Sequence, residues 1–475
     1  MNIENKYERL LEIFKEISEI PRNSCKEEGL ADYICKLAEE KKLEYRKDKL
    51  YNVIVKKKAS SGYEGKDAII FQAHLDMVCE KTIYSIHDFE KDPIEIIENE
   101  DTYTAKDTTL GADDGIGVSY LLLLLEDDEI KHPDIYLLFT TQEEIGMDGA
   151  KYFDYEGIKA KYLINIDGEE SNEAIVGCAG GSRIKYEKSP ECDDASGDRY
   201  QIKISGLRGG HSGVDIDRGR KNSNLICASF LSRLKDVKII SFIGGNKDNA
   251  IPNSTTCEFL TTSENVQEIL DDTIAKLDLV EEDKNLKIDL RRIDEVSNEA
   301  LSLSESKTTI EIIQGLKQCV IEYSKDKEGL VETSGNVGVV DVSCEKSIIT
   351  ELLRSSDDEK RMLIEKDNED FAKERGYSTE VQSSYPGWKY NPNSNLEKVY
   401  VETYKEVTNG EMPMVQAIHA GVECGMIYKK MPELELISIG PDIEDVHTTN
   451  ETLYIKSCMK ILKIILLMIN KLCNA

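Results

Sequence analysis

Two adjacent aspartates, Asp113 and Asp114, sit in the glycine-rich stretch Thr108-Thr109-Leu110-Gly111-Ala112-Asp113-Asp114-Gly115-Ile116-Gly117, directly before the apolar run Val118 to Leu125. Paired carboxylates at the mouth of a buried helix repel one another unless a cation, a helix N-terminus or a hydrogen-bond donor compensates them. A bound metal meets that condition, and so does simple capping of free backbone amides by either residue. Other residues must decide. His74 precedes Asp76 by two positions, so on an extended segment both side chains point to one face, and the carboxylate can orient the imidazole as the partner of a metal-ligating histidine does. Glu143-Glu144 and Asp167 add further carboxylates. Each piece is commonplace alone. Together, a histidine, aspartates and a glutamate that each follow an apolar strand or a glycine turn make the mixed N/O donor set that suits zinc or manganese.

Histidine is scarce, with six in all. His211, in Gly209-Gly210-His211-Ser212-Gly213, reads from its spacing as a polar residue in a flexible glycine loop. His419 and Glu423 are spaced i,i+4, a spacing that on a helix could serve a metal. His87 and His132 have no supporting neighbours and read as surface residues.

The elements that must position these groups alternate in type. Helices are expected around Leu10, Phe14 and Ile17, ended by Pro21, and around Leu30, Ile34 and Leu37, begun by a Ser24/Glu27 capping box. Buried strands are expected at Ala68–Ala73, Ile135–Phe139 and Tyr162–Ile166, and each runs into polar residues. Strands alternating with helices predict an α/β fold, a mostly parallel sheet with helices on both faces, with ligands outside the carboxyl ends of the strands. That is where His74, Glu143, Glu144 and Asp167 fall.

The pattern changes after the polar stretch 187–198, which reads as a linker. Beyond it an α+β pattern is expected: a strand at Tyr200–Ser205, a helical stripe of Leu225, Ala228, Leu231 and Leu234, helices over 310–323 and 358–375, and strands at Val337–Val340 and Ile348–Leu353. Tyr385-Pro386-Gly387-Trp388 ends it, Asn393 or Ser394 can cap a helix over Leu396–Val407, Leu436–Ile439 reads as a strand, and a last helix reaches about Leu472. The expected domains are therefore 1–186 and 385–475 as two parts of one catalytic domain, with 187–384 inserted.

Composition narrows the class. Lys+Arg 60 against Asp+Glu 91 gives a net charge of -31, which argues against nucleic acid or an anionic membrane surface as partner. The 12 cysteines show no CxxC pair, so reduced thiols fit better than a disulfide framework, and none is expected to do chemistry. The N-terminus lacks the order of a signal peptide, and no apolar tract approaches the ~20 residues needed to span a bilayer. A soluble, cytoplasmic protein is expected.

The ordered motifs HLDMVCEK, TLGADDGIG, EEIGMDGA, NIDGEE, GGHSG, YPGW, HAGVECG and HTTNE together resemble the aminoacyl-histidine (Xaa-His) dipeptidases, among the co-catalytic zinc peptidases related to carboxypeptidase G2 and the carnosinases. The likeness covers essentially the whole chain. It implies a catalytic α/β domain interrupted by a lid, two divalent ions (zinc first, manganese or cobalt as alternatives), a small peptide substrate and a homodimer. It further implies that His74 and Asp167 bind one metal, Glu144 and His447 the other, and that Asp113, the first carboxylate of the turn, bridges both. Asp76 would orient His74 and Glu143 would act as general base. His211 would bind the developing oxyanion, often from the partner subunit, and His419 and Glu423 would line the site. An exopeptidase must also hold its substrate's free carboxylate, for which an arginine fork is suited, and Arg354 at a strand end is the candidate. The implied activity is hydrolysis of Xaa-His and other small dipeptides. A related aminoacylase, tripeptidase or deacetylase is the near variant, and a catalytically silent binding protein the distant one. A silent relative usually loses a ligand or the base, whereas His74, Asp76, Asp113, Glu143, Glu144, Asp167 and His447 are all present.

Overall fold

Helix Ile3–Ser18 forms because Leu10, Ile13, Phe14 and Ile17 recur on one face, and all four are free of solvent. The structure, a computed structural model, describes residues 2–194, 198–294 and 299–474. The next helix, Glu28–Glu40, starts after Glu27 without a side-chain cap. The Ser24 hydroxyl instead donates to Asp76 Oδ2 at 2.8 Å, so the expected capping box is not formed. Ser394, by contrast, caps Asn395–Val407 by accepting from the Glu397 amide.

The chain divides into two compact units. One comprises the chain up to Gly177, Tyr390–Ala417 and the chain from Val422; the other comprises Cys178–Lys389 and Ile418–Gly421. Among the described residues, the first unit holds an eight-stranded sheet in the order Glu44–Lys47, Val53–Lys57, Ile135–Thr140, Ile69–His74, Tyr162–Asn165, Glu435–Ser438, Glu173–Cys178, Met414–Ile418. The four strands from Ile135–Thr140 to Glu435–Ser438 are mutually parallel, whereas Glu44–Lys47, Val53–Lys57 and Glu173–Cys178 pair antiparallel. The sheet is therefore mixed, parallel only at its centre. Short turns such as the one joining the first two strands can make only antiparallel pairs. Ile69, Phe71 and Ala73 face the larger core, and Ile70 and Gln72 on the opposite side are equally buried, so both faces are covered. In helix Ala112–Glu126 every residue from Ile116 to Leu125 is buried. At roughly 2 kcal/mol for each large apolar side chain removed from water, this burial anchors the turn that carries Asp113.

The second unit is an antiparallel sheet in the order Lys287–Ile293, Asp198–Ser205, Thr255–Thr261, Lys238–Gly244, Val331–Ser343, Ser347–Ser355, Gly180–Lys188, Ser378–Tyr385, with Cys319–Tyr323 alongside Val331–Ser343. Its core joins inward strand residues such as Ile202, Phe242 and Phe259 to Phe230 and Ile313 of helices Ser223–Leu231 and Leu303–Gly315. The helix expected over 310–323 stops at Gly315, and Cys319–Tyr323 is a strand. Within the stretch expected to be a linker, Gly180–Lys188 is still a strand and Cys192–Asp194 forms another; residues 195–197 lie outside the described ones. Cys192 is disulfide-bonded to Cys344, a departure at these two positions from the expectation of reduced thiols. No helix among the described residues is long and apolar enough to cross a membrane.

Candidate metal centre

His74 is the last residue of strand Ile69–His74, and its position follows from the strand's burial. Its Nδ1 lies 3.1 Å from the Asp76 carbonyl and 3.5 Å from Asp76 Oδ1. With the proton on Nδ1, Nε2 presents a lone pair to the site. Asp76 is fully buried, and its carboxylate also accepts from the amides of Glu143 at 3.1 Å and Glu144 at 3.3 Å. One carboxyl group thus joins the end of the first ligand strand to the short helix Glu143–Gly146. Glu27, read in the sequence only as half of a capping box, accepts from the Gln142 amide at 3.1 Å just before that helix.

The Asp113–Asp114 peptide is cis, and the two carboxylates part company. Asp114 accepts from the His74 amide at 3.0 Å and the Gly117 amide at 3.1 Å, so both its oxygens have backbone partners. Asp113 instead offers Oδ1 to His74 Nε2 at 3.0 Å and Oδ2 to His447 Nε2 at 3.0 Å. Asp167 Oδ1 is 3.3 Å from His74 Nε2, and Glu144 Oε2 is 3.0 Å from His447 Nε2. The structure therefore gathers His74, Asp113, Glu144, Asp167 and His447. It adds that Asp114, rather than merely capping the helix, fixes the backbone under His74.

The charges in this cluster favour an added cation. Burial, reinforced by Asp167, raises Asp114 well above the ordinary carboxylate range. Burial likewise pushes Asp167 up to about 6 and raises Glu143 strongly, with other carboxylates adding to the effect. Burial opposes a proton on His74, but Asp167, Asp113 and Asp76 outweigh it and raise its pKa well above the usual value. Hydrogen bonds to the carboxylates of Asp113 and Glu144 raise His447 to about 10. Converging carboxylates thus draw positive charge onto the imidazoles. Ligand atoms of His74, Asp113 and Glu144, and of His74, Asp114 and Asp167, lie within 4.8 Å of one another. Nitrogen and oxygen donors with surplus negative charge fit a divalent cation. Glu143 makes no side-chain hydrogen bond among the described residues.

The second unit holds His211, Arg354 and His419. His211 Nδ1 accepts from the amides of Gly213 at 3.2 Å and Val214 at 3.1 Å, which leaves the proton on Nε2. That nitrogen is 3.4 Å from Arg354 Nη2, so two donors face the same space. The buried Arg354 also donates to the Tyr385 hydroxyl at 2.7 Å, and its Nε has no partner among the described residues. Burial first, then Arg354, lowers the pKa of His211. Burial takes His419 down to about 3, and its Nε2 meets the Ser334 hydroxyl at 2.7 Å. Gly213 has to be glycine, because a Cβ there would stand 1.9 Å from the His419 carbonyl oxygen. The i,i+4 pair does not share a helix: His419 precedes helix Glu423–Lys430, which begins at Glu423. Glu423 lies in the interior of the first unit, accepting from Gln72 at 2.6 Å and Thr140 at 2.8 Å, with burial raising it to about 8. His132, expected at the surface, is buried against the Pro133 carbonyl.

Residues 70–471 match the Peptidase family M20/M25/M40. The chain belongs to this family. It is a hydrolase acting on peptide bonds. It is 36% identical over 462 residues to the cytosol non-specific dipeptidase of Escherichia coli (strain K12), covering 94% of each chain. Its fold superposes on the crystal structure of aminoacylhistidine dipeptidase from Vibrio alginolyticus with a TM-score of 0.93 at 32% identity, covering 98% of this chain and 96% of that one. A tripeptidase from Staphylococcus aureus shares the fold at a TM-score of 0.55 and 17% identity, covering 99% of both chains.

Proposed function

We propose that this chain is a cytoplasmic dipeptidase that hydrolyses Xaa-His and other small dipeptides at a two-metal centre. The observation that carries the reading is the Asp113 carboxylate, whose two oxygens each face a different imidazole, His74 and His447. In this reading His74 and Asp167 would hold one ion and Glu144 and His447 the other, with Asp113 shared between them. Zinc is the proposed ion, with manganese or cobalt as alternatives. Bound there, the ions supply Lewis acidity that lowers the pKa of an attacking water and polarises the scissile carbonyl. Glu143 takes that water's proton and returns it to the leaving amine; its raised proton affinity suits a group that must hold the proton between the two transfers. Glu144 cannot share this role, since its oxygens are engaged at His447.

The second unit serves as lid in this proposal. The facing donors of His211 and Arg354 suit an oxyanion and a carboxylate, giving His211 to the developing tetrahedral oxygen and Arg354 to the substrate's C-terminus. His419 and Glu423 keep a site-lining role in this proposal, and the working form is a homodimer. The test is metal content per chain measured beside hydrolysis rates on a dipeptide panel that includes β-alanyl-histidine. Metal-dependent cleavage of several dipeptides is expected. Two bound ions with no dipeptide cleavage would contradict the substrate assignment.

A further inference from the structure

Of the five segments that bring candidate ligating groups together, three are the strand end at His74, the turn Gly111–Asp113, and the loop from His447 to Glu451. Two buried residues with no part in the chemistry tie these segments together. The Glu451 carboxylate accepts four successive backbone amides, Oε2 from Leu110 at 2.8 Å and Gly111 at 2.9 Å, Oε1 from Ala112 at 2.7 Å and Asp113 at 3.2 Å. Its own amide donates to the Thr448 carbonyl at 3.2 Å, which fixes it to the loop carrying His447. Arg22 spans the other gap: Nη1 donates to the carbonyls of Leu75 at 3.0 Å and Asp76 at 3.2 Å, and Nη2 donates to the Gly111 carbonyl. The fit is tight, because a Cβ on Gly111, at φ 70°, would stand 2.6 Å from Arg22 Nη2.

A side chain at a helix start ordinarily satisfies one or two free amides. Here one carboxylate takes four, so neither of its oxygens is free to bind a metal or a proton in transit. Glu451 is 3% and Arg22 2% exposed. Buried charges are retained when their partners are worth more than their hydration, and these partners are the backbone of the ligand segments. We propose that Glu451 and Arg22 are positioning residues of the metal centre: Glu451 locks the Asp113 turn to the His447 loop, Arg22 locks the same turn to the His74 strand end, and together they hold Asp113 between its two imidazoles. This inference rests on the metal-centre reading above.

The test is Co²⁺ titration of the full-length protein against a competing chromophoric chelator, with the visible absorption of bound Co²⁺ recorded. Glu451→Gln keeps the shape but turns an NH₂ toward two N–H donors, and Arg22→Lys keeps the charge but loses the fork. Each is expected to weaken Co²⁺ binding 10- to 100-fold, the range typical when a ligand's supporting partner is lost. Each is also expected to alter the Co²⁺ spectrum and to lower kcat at saturating metal more than it changes KM. Thermal unfolding of the metal-free variants should stay cooperative. If Glu451→Gln does not fold, Arg22→Lys decides. A folded variant that binds two Co²⁺ with wild-type affinity and spectrum would overturn the positioning role alone. Wild-type protein that takes up no Co²⁺ would overturn the metal-centre reading, and the positioning role with it.

Discussion

His447 Nε2 lies 3.0 Å from Asp113 Oδ2, although 334 residues separate the two in sequence. The contact joins the opening turn of a buried helix to a loop near the chain's end, and it divides the proposed centre into unequal parts. In the proposed centre His447 would serve one ion and Asp113 both. His447→Ala should therefore lose about one of two bound metal equivalents, while Asp113→Ala should lower occupancy of both. Elemental analysis of dialysed variants checks this; equal losses would reject Asp113 as the bridge.

The neighbouring glutamates should separate cleanly. Glu143→Ala should keep its metal while turnover falls about a hundredfold or more, as loss of a general base does. Glu144→Ala should lose metal as well. The reverse outcome, read from metal content and kcat on one dipeptide, would exchange the two roles.

The proposed lid should also select substrate length. If Arg354 grips the substrate carboxylate and His211 the oxyanion, dipeptides should be cleaved far faster than tripeptides or C-terminal amides, and His211→Ala should lower kcat with little change in metal content. Comparable rates for a dipeptide and its amide would refute this while leaving the metal centre standing.

Glu351, buried in the second unit, accepts from Tyr186 at 2.6 Å and from Asn368 at 3.0 and 3.1 Å. Burial raises its pKa from 4.5 to about 7, a shift those hydrogen bonds only partly oppose. The folded state thus binds the proton more tightly than the unfolded chain. Its contribution to stability is fully present below about pH 4.5 and is lost as pH rises through about 7, on the order of 3 kcal/mol in all. Glu351→Gln should flatten that loss. Denaturation midpoints at about pH 5 and 8, compared between wild type and variant, check it; equal pH dependence would count against the assignment.

Much of this was legible in the sequence because parallel central strands are buried on both faces and read as unbroken apolar runs. His74, Glu143, Glu144 and Asp167 follow such runs, so their place at the sheet's carboxyl edge could be read directly. Periodicity could not show long-range polar pairing. Ser24 has the pattern of a helix cap and serves Asp76 instead, 52 residues away. Cys319–Tyr323 continued a helical pattern but joined the sheet, where Val320 pairs with Ser334 and β-branched side chains are favoured. Arg22, Glu451 and the Cys192–Cys344 bridge left no local signal, since each is defined by a partner far along the chain.

The most direct test is to strip divalent metal with a chelator, confirm its removal by elemental analysis, and assay dipeptide hydrolysis before and after adding Zn²⁺, Mn²⁺ or Co²⁺ back. Activity should vanish on removal and return as about two equivalents per chain are restored. Full hydrolysis by a verified metal-free sample would contradict the account.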